Sequence, residues 1–242
     1  MNAKNRARKS SPLYLPSAFD LFKPSKELFM KHFEVFGVLF IVPFILWIHG
    51  WIFTPAGSGH WWQRGSDANN SFTYPNNYFD AAIGASVLWI LFSLVLGTVI
   101  QIMTQDAQLK AAAGKKLTLS DLWQTVKTLW LKMVLTYIAF GLIVVVGFIL
   151  LIVPGLFMIR RYMFAPYVML EARGKIGIKE ALDKSAELGL QNTRAVWGII
   201  GVSFLISFCG ILPIIGSLVS FVLGALYSIA PAIRYQQLKK LA

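Results

Sequence analysis

Residues 153–188 read VPGLFMIRRYMFAPYVMLEARGKIGIKEALDKSAEL, and this stretch decides the architecture. Pro154-Gly155 ends one apolar run. A second apolar run follows with Arg160 and Arg161 inside it, and it leaves through Glu171 and Arg173 into a short charged helix. An apolar run that turns, returns and exits into charge reads as a helical hairpin whose solvent is a bilayer. The rest of the chain holds plainer versions of the same unit.

Composition agrees. The 242 residues are 56% hydrophobic and 14% charged, whereas a soluble domain carries about 25% charged residues. One aqueous core cannot hide that much apolar surface. The net charge of +12 would suggest nucleic acid in a soluble protein. Here the lysines and arginines flank apolar runs, so they report topology and no nucleic-acid partner is implied. The single cysteine, Cys209, excludes an intramolecular disulfide.

Residues 1–16 read as a basic, disordered cytoplasmic tail, and 17–242 as one six-span membrane domain. Residues 17–33 are amphipathic and form an interfacial helix feeding the first span. The spans are placed at about 34–53, 81–105, 129–153, 156–170, 195–212 and 214–235, with a Trp/Tyr-rich outer loop at 54–80. Pro43, Pro154, Gly155, Pro166, Pro213 and Pro231 are the expected structural breaks, with packing kinks as their plainer reading. A second amphipathic helix begins near residue 118, capped by Thr118 or Ser120. The leading segment holds seven Lys/Arg, the 106–127 loop four, the 171–194 loop five and the C-terminal end three, against one in the outer loop. That alternation puts both termini in the cytoplasm, in a plasma (inner) membrane.

Residues 20–31, DLFKPSKELFMK, align with 121–132, DLWQTVKTLWLK, and more loosely with 180–191, EALDKSAELGLQ. Each precedes a hairpin. Ala165-Pro166 also parallels Ala230-Pro231. The fold expected is therefore all-α, with interfacial amphipathic helices and a three-fold hairpin repeat. Chance similarity is the competing reading, because every lead-in helix must be amphipathic.

No catalytic, cofactor or metal constellation emerges. His32, His49 and His60 lack partners at metal-ligand spacing. Ser93, Ser203, Ser207 and Ser220 read as packing serines. Glu34, Asp80, Asp106 and Glu171 all fall at span ends, away from the mid-bilayer positions that coupled carriers use. Arg160 and Arg161 stand apart. In the plainer reading both snorkel to the outer headgroups. In the sharper one they contact lipid phosphate through arginine's planar fork.

Pro154-Gly155, Arg160-Arg161, Ala165-Pro166 and the Ala181-Leu182-x-x-Ser185 helix, with Ala230-Pro231 and Arg234-Tyr235 near the end, resemble a family of polytopic membrane proteins related to the membrane domain fused to some glycerophosphoryl diester phosphodiesterases. The resemblance covers the chain from about residue 117. It implies a six-helix membrane domain and carries no phosphodiesterase activity, which belongs to a separate soluble barrel with acidic metal ligands. The expected function is a non-enzymatic module acting through membrane lipids, anionic ones included, or membrane protein partners, with a homo-oligomer among its forms. The alternative is a transporter for a small solute or lipid intermediate.

Overall fold

The computed structural model describes residues 15–53, 76–211 and 215–241. Residues 1–14 of the expected 1–16 tail, most of the outer loop and Pro213 lie outside these. The described chain is helical, without strands. A 3-10 turn, Phe19–Leu21, leads into α1 (Phe22–Lys31) and α2 (Phe33–Phe53). Then come α3 (Asn76–Ala112), α4 (Leu119–Leu150), α5 (Ile152–Tyr162), α6 (Ala165–Glu171) and α7 (Ile178–Gln191). The chain finishes with α8 (Thr193–Cys209), α9 (Ile215–Tyr227) and α10 (Ala230–Lys239).

Three segments are long and apolar enough to cross a membrane: Val87–Ala112, Leu119–Leu150, and Gly216–Lys239, which takes α9 and α10 together. The number becomes five if each of two bent pairs counts as one span. These pairs are Phe19–Lys31 with Phe33–Ile45, bent by 96°, and Ile178–Gln191 with Thr193–Cys209, bent by 99°. In both, an amphipathic helix turns a right angle into an apolar one. The expected second lead-in differs, since it runs without a bend into α4. Thr118 caps α4, its side chain accepting from the Asp121 N–H, so the cap is Thr118 rather than Ser120.

Several expected breaks move. α4 ends at Leu150 and the chain turns at Leu151, which is extended (φ −172°, ψ 158°). Pro154 and Gly155 therefore sit inside the first turn of α5, where proline costs no hydrogen bond. Gly155 serves close approach. A Cβ on Gly147 would lie 2.9 Å from the Gly155 Cα, and a Cβ on Gly155 2.6 Å from the Phe148 ring. Pro166 and Pro231 stand at true helix breaks. Each lies in the first turn of a new helix, α6 and α10. Pro43 stays inside α2. The expected fourth span, 156–170, is thus α5 and α6 with a break between them. The second reaches further than expected, because α3 continues through Asp106 to Ala112.

The breaks before α6 and α10 are sealed in the same way. Ser185 on α7 donates to the Arg161 carbonyl (3.1 Å) and accepts from the Phe164 N–H (3.2 Å). Ser25 on α1 donates to the Leu226 carbonyl (2.7 Å) and accepts from the Ile229 N–H (3.2 Å). Each turn strands one carbonyl and one N–H, and a buried hydroxyl answers both. Ser25→Ala and Ser185→Ala are each expected to lower stability by about 1–3 kcal/mol, the cost of orphaned buried backbone groups. Thermal unfolding in detergent measures this, and an unchanged midpoint in both would contradict the role.

The packed core lies at the end of the molecule that carries the basic loops. Ile102, Leu129, Met133, Phe164, Met169 and Leu170 are buried there, and Phe29, Phe36, Leu39 and Leu122 form a second cluster. Away from it the helices present large apolar side chains outward: Leu88, Ile90 and Leu94 on α3, Leu142, Val146 and Ile149 on α4, Phe204 and Phe208 on α8.

Candidate functional site: the arginine elbow and the polar layer

α7 crosses the C-terminal end of α5 so tightly that a Cβ on Gly189 would lie 2.7 Å from the Arg160 carbonyl oxygen. This crossing fixes where Arg160 and Arg161 sit. They stand at the elbow between α7 and α8, close to the basic loops, and not at the opposite end where outer headgroups were expected. The reason is direction: α5 starts at the far turn and ends here.

The two arginines part company. Arg160 is 8% exposed, while Arg161 is exposed, with its guanidinium 5.5 Å from the Tyr162 ring centroid. Neighbouring helical residues point about 100° apart, so one turns inward and the other outward. Arg160 lies over the Phe157 ring at 5.0 Å, one turn back on α5. Phe157 meets Trp197 of α8 edge-on at 5.8 Å. Arg160 Nη1 donates to Thr193 Oγ1 (3.3 Å), and Thr193 Oγ1 donates to the Leu190 carbonyl (3.4 Å). Arg160 Nε is buried with no hydrogen-bond partner.

Thr193 opens α8, a 17-residue helix with no acidic residue in its first turn and no side-chain cap from Asn192. Among the described residues the ion pairs are Lys110–Asp106, Lys184–Glu180 and Lys239–Glu171. Arg160, Arg161 and Arg194 belong to none of them. The Arg160 guanidinium and the positive end of the α8 dipole therefore meet at the elbow with no ion-paired carboxylate among the described residues.

Elsewhere in the bundle lies a set of buried polar side chains whose pairing the sequence reading did not anticipate. Asp106 is 3% exposed and binds both Lys110 Nζ (2.7 Å) and Thr125 Oγ1 (2.7 Å). Tyr167 donates to Gln108 (2.7 Å) and Tyr137 to Gln105 (2.6 Å). Arg234, fully buried, donates to the Pro16 carbonyl (2.7 Å) and to Gln237 Oε1 (3.1 Å). Tyr227 donates to the Ala18 carbonyl (3.0 Å). The segment entering α1 is thus tied to the last two helices. Asp106 was expected to begin a loop; instead it is helical and paired. Among the described residues no three His, Cys, Asp or Glu side chains gather as metal ligands.

Glu171 closes α6 at the basic end. It accepts from Tyr235 (2.6 Å) and Lys239 (2.8 Å) beside an open cleft of about 400 Å³ that Lys184 and Glu187 also line. Burial alone would raise its pKa, but the Lys239 and Tyr235 hydrogen bonds and nearby lysine charge outweigh it and hold the carboxyl below its ordinary value. A carboxyl depressed by folding adds stability above its unfolded pKa, and that stability is lost as pH falls through the folded value. The unfolding midpoint is therefore expected to drop below about pH 4, and Glu171→Gln should flatten the drop. An identical acid profile in wild type and variant would exclude the effect.

Two further cavities border α9, the first against α2 and the second against α8. One, about 510 Å³, is mostly apolar and bounded by Pro43, Phe44, Leu218 and Phe221. The other, about 260 Å³, is lined by Ser203, Ser207, Ser220, Tyr227, Ser228 and Pro231.

No family model, curated protein or solved structure matches the chain. The arrangement of its own side chains is therefore the ground for a functional reading.

Proposed function

We propose that the chain is a six-span membrane module, with both termini and its basic loops on the cytoplasmic side, that works by binding lipids or membrane proteins and not by catalysis. The observation that carries this is the division of the molecule. Its basic end has a packed core with mutually bonded polar side chains, while the other half displays Leu, Ile, Val and Phe outward. Such an outer surface is unfavourable in water and favourable in a bilayer, which supports the reading. α5 and α6 supply the span that length alone misses. They run back along α4 from the Gly147–Gly155 contact to a hydrogen bond from Lys132 Nζ to the Gly174 carbonyl, and so cover much the same height.

The three-fold repeat belongs to this proposal. α1 packs on the second helix of the last hairpin, α4 on that of the first and α7 on that of the second. Ser25, Thr125 and Ser185 supply a buried hydroxyl at each junction. In α3 no break exists to seal, and Thr125 bonds Asp106 instead. The resemblance to the membrane domain fused to phosphodiesterases is kept as part of the same reading, for architecture only.

Topology labelling tests it. In a Cys209→Ser background, single cysteines at Lys115, Lys175 and Lys240 should react with an impermeant maleimide only from the cytoplasmic side, and one at Arg64 only from outside. Labelling of Lys115 and Lys175 from opposite faces would overturn the six-span arrangement. Transport is the second reading. The hydroxyl-lined cavity beside the break before α10 favours it, although neither Arg160 nor Arg161 lines that cavity or the other two.

A further inference from the structure

We propose that Arg160, Thr193 and the first turn of α8 form a binding site for a phosphate oxyanion, supplied by the headgroup of an anionic membrane lipid. This rests on the membrane reading above and narrows it to one site and one ligand chemistry.

Three observations converge. The first is an unmet charge. Arg160 is more than nine-tenths buried and makes one hydrogen bond, at 3.3 Å, to a hydroxyl. Its Nε has no hydrogen-bond partner. Arg234, the other buried guanidinium, has a backbone carbonyl at 2.7 Å as well as a side-chain amide oxygen. Both Nε atoms lack a partner, so the difference lies at the guanidinium ends: Arg160 has only the hydroxyl of Thr193 there and neither a carbonyl nor an amide oxygen, and a buried cation so weakly accepted is costly until an anion covers it. The second is the field. Nη1 reaches the first residue of a helix with no acidic side chain in its opening turn and no side-chain cap; the Ala195 N–H bonds the Asn192 carbonyl (3.1 Å), which leaves the Thr193 and Arg194 N–H groups as the donors that the helix itself does not use. A guanidinium beside the positive end of a helix is repelled, unless both face the same anion. The third is access. Thr193, which the buried guanidinium touches, and Arg194 beside it in sequence are exposed. The 99° bend between α7 and α8 is where an amphipathic helix becomes an apolar span, the depth at which lipid phosphates lie.

Phosphate suits this donor set better than carboxylate. Its oxygens can take the arginine fork, the Thr193 and Arg194 N–H groups and a threonine hydroxyl together. Phe157 holds the guanidinium plane from below and limits its freedom to turn away. Arg161, outward and stacked near Tyr162, stands outside the site.

The experiment is native mass spectrometry of the full chain in detergent, titrated with dioleoyl phosphatidate, with dioleoylglycerol, and with inorganic phosphate. Wild type should retain one phosphatidate per chain and discriminate against dioleoylglycerol. Arg160→Gln should weaken phosphatidate binding at least about tenfold, and Arg160→Lys less, because a charge-assisted bond is lost in one and a fork in the other. Arg161→Gln should change it less than about twofold, as an exposed charge does. Thr193→Val leaves the charge in place and should weaken binding about threefold, so the site stays testable if Arg160→Gln misfolds. Equal binding by wild type, Arg160→Gln and Thr193→Val overturns the site, as does an Arg161→Gln loss as large as that of Arg160→Gln. Inorganic phosphate binding in place of phosphatidate keeps the oxyanion site and overturns lipid as its source. Maleimide labelling of the same variants separates the two levels. Correct topology with unaffected binding sinks the site alone, whereas wrong topology sinks the membrane reading.

Discussion

Replacing Asp106 by Ala is expected to destabilise the protein by about 3–5 kcal/mol, the cost of breaking a buried ion pair from one side. The side chains of Lys110 and Asp106 are 10% and 4% exposed, and the ammonium lies 2.7 Å from the carboxylate. With the carboxylate gone, Lys110 is a buried charge with no partner, and Thr125 loses its 2.7 Å acceptor. The partner replacement makes the test sharp. Asp106→Leu combined with Lys110→Met removes both charges and should recover most of the loss, because an apolar pair of similar volume fills the space without desolvating ions. Thr125 keeps its second acceptor, the Asp121 carbonyl at 3.1 Å. Equilibrium unfolding in mixed micelles measures all three proteins. If the double variant is no more stable than Asp106→Ala, the pair matters through geometry and not through unpaired charge.

The second large effect is expected from Gly189→Val. A Cβ there meets the Arg160 carbonyl oxygen at 2.7 Å and the Arg161 Cα and carbonyl oxygen at 3.2 Å. These are backbone atoms, so no rotamer change relieves the clash. α7 must lift from α5, and the Ser185 bonds to Arg161 and Phe164 stretch with it. A loss of about 3 kcal/mol is expected, at the upper end of overpacking costs. Gly201→Val in α8 is the control, since nothing lies within 4 Å of a Cβ at that position. Equal midpoints for the two variants would mean that the crossing of α5 and α7 is looser than described.

The functional picture follows from the same crossing. It brings Arg160 to the α8 N-terminus and leaves Arg161 outside, so adjacent identical residues acquire different chemistry. The alignment of residues 20–31 with 180–191 places Ser25 opposite Ser185, and both seal a helix break. That signal was present in the chain and pointed to the correct pair. The alignment with 121–132 places Val126 opposite them, while the hydroxyl in use is Thr125, one residue earlier. Here register slipped because α4 runs straight where α1 and α7 bend into the helices after them. Thr193 carried no comparable signal. Its role depends on a fold that brings residue 160 to residue 193, and no local pattern encodes that meeting.

Local chemistry determined that the described chain is helical and marked the start of α4 at Thr118. Apolar runs of span length, punctuated by Pro and Gly and flanked by Lys and Arg, allow little besides helices in an apolar solvent. Local sequence also marked Ala165-Pro166 and Ala230-Pro231 as equivalent, because proline lacks the N–H a continuing helix needs. Tertiary packing decided the rest. It moved the turn between α4 and α5 to Leu151, because the Gly147–Gly155 contact lets α5 begin before the proline. It buried Asp106, which sequence placed at a loop edge, because α4 covers that face of α3. It turned Arg160 inward at the basic end, because α5 runs back from the far turn and α7 closes over its last residues. Where a side chain ends up depends on which helix lies across it, and that is a property of the assembled bundle.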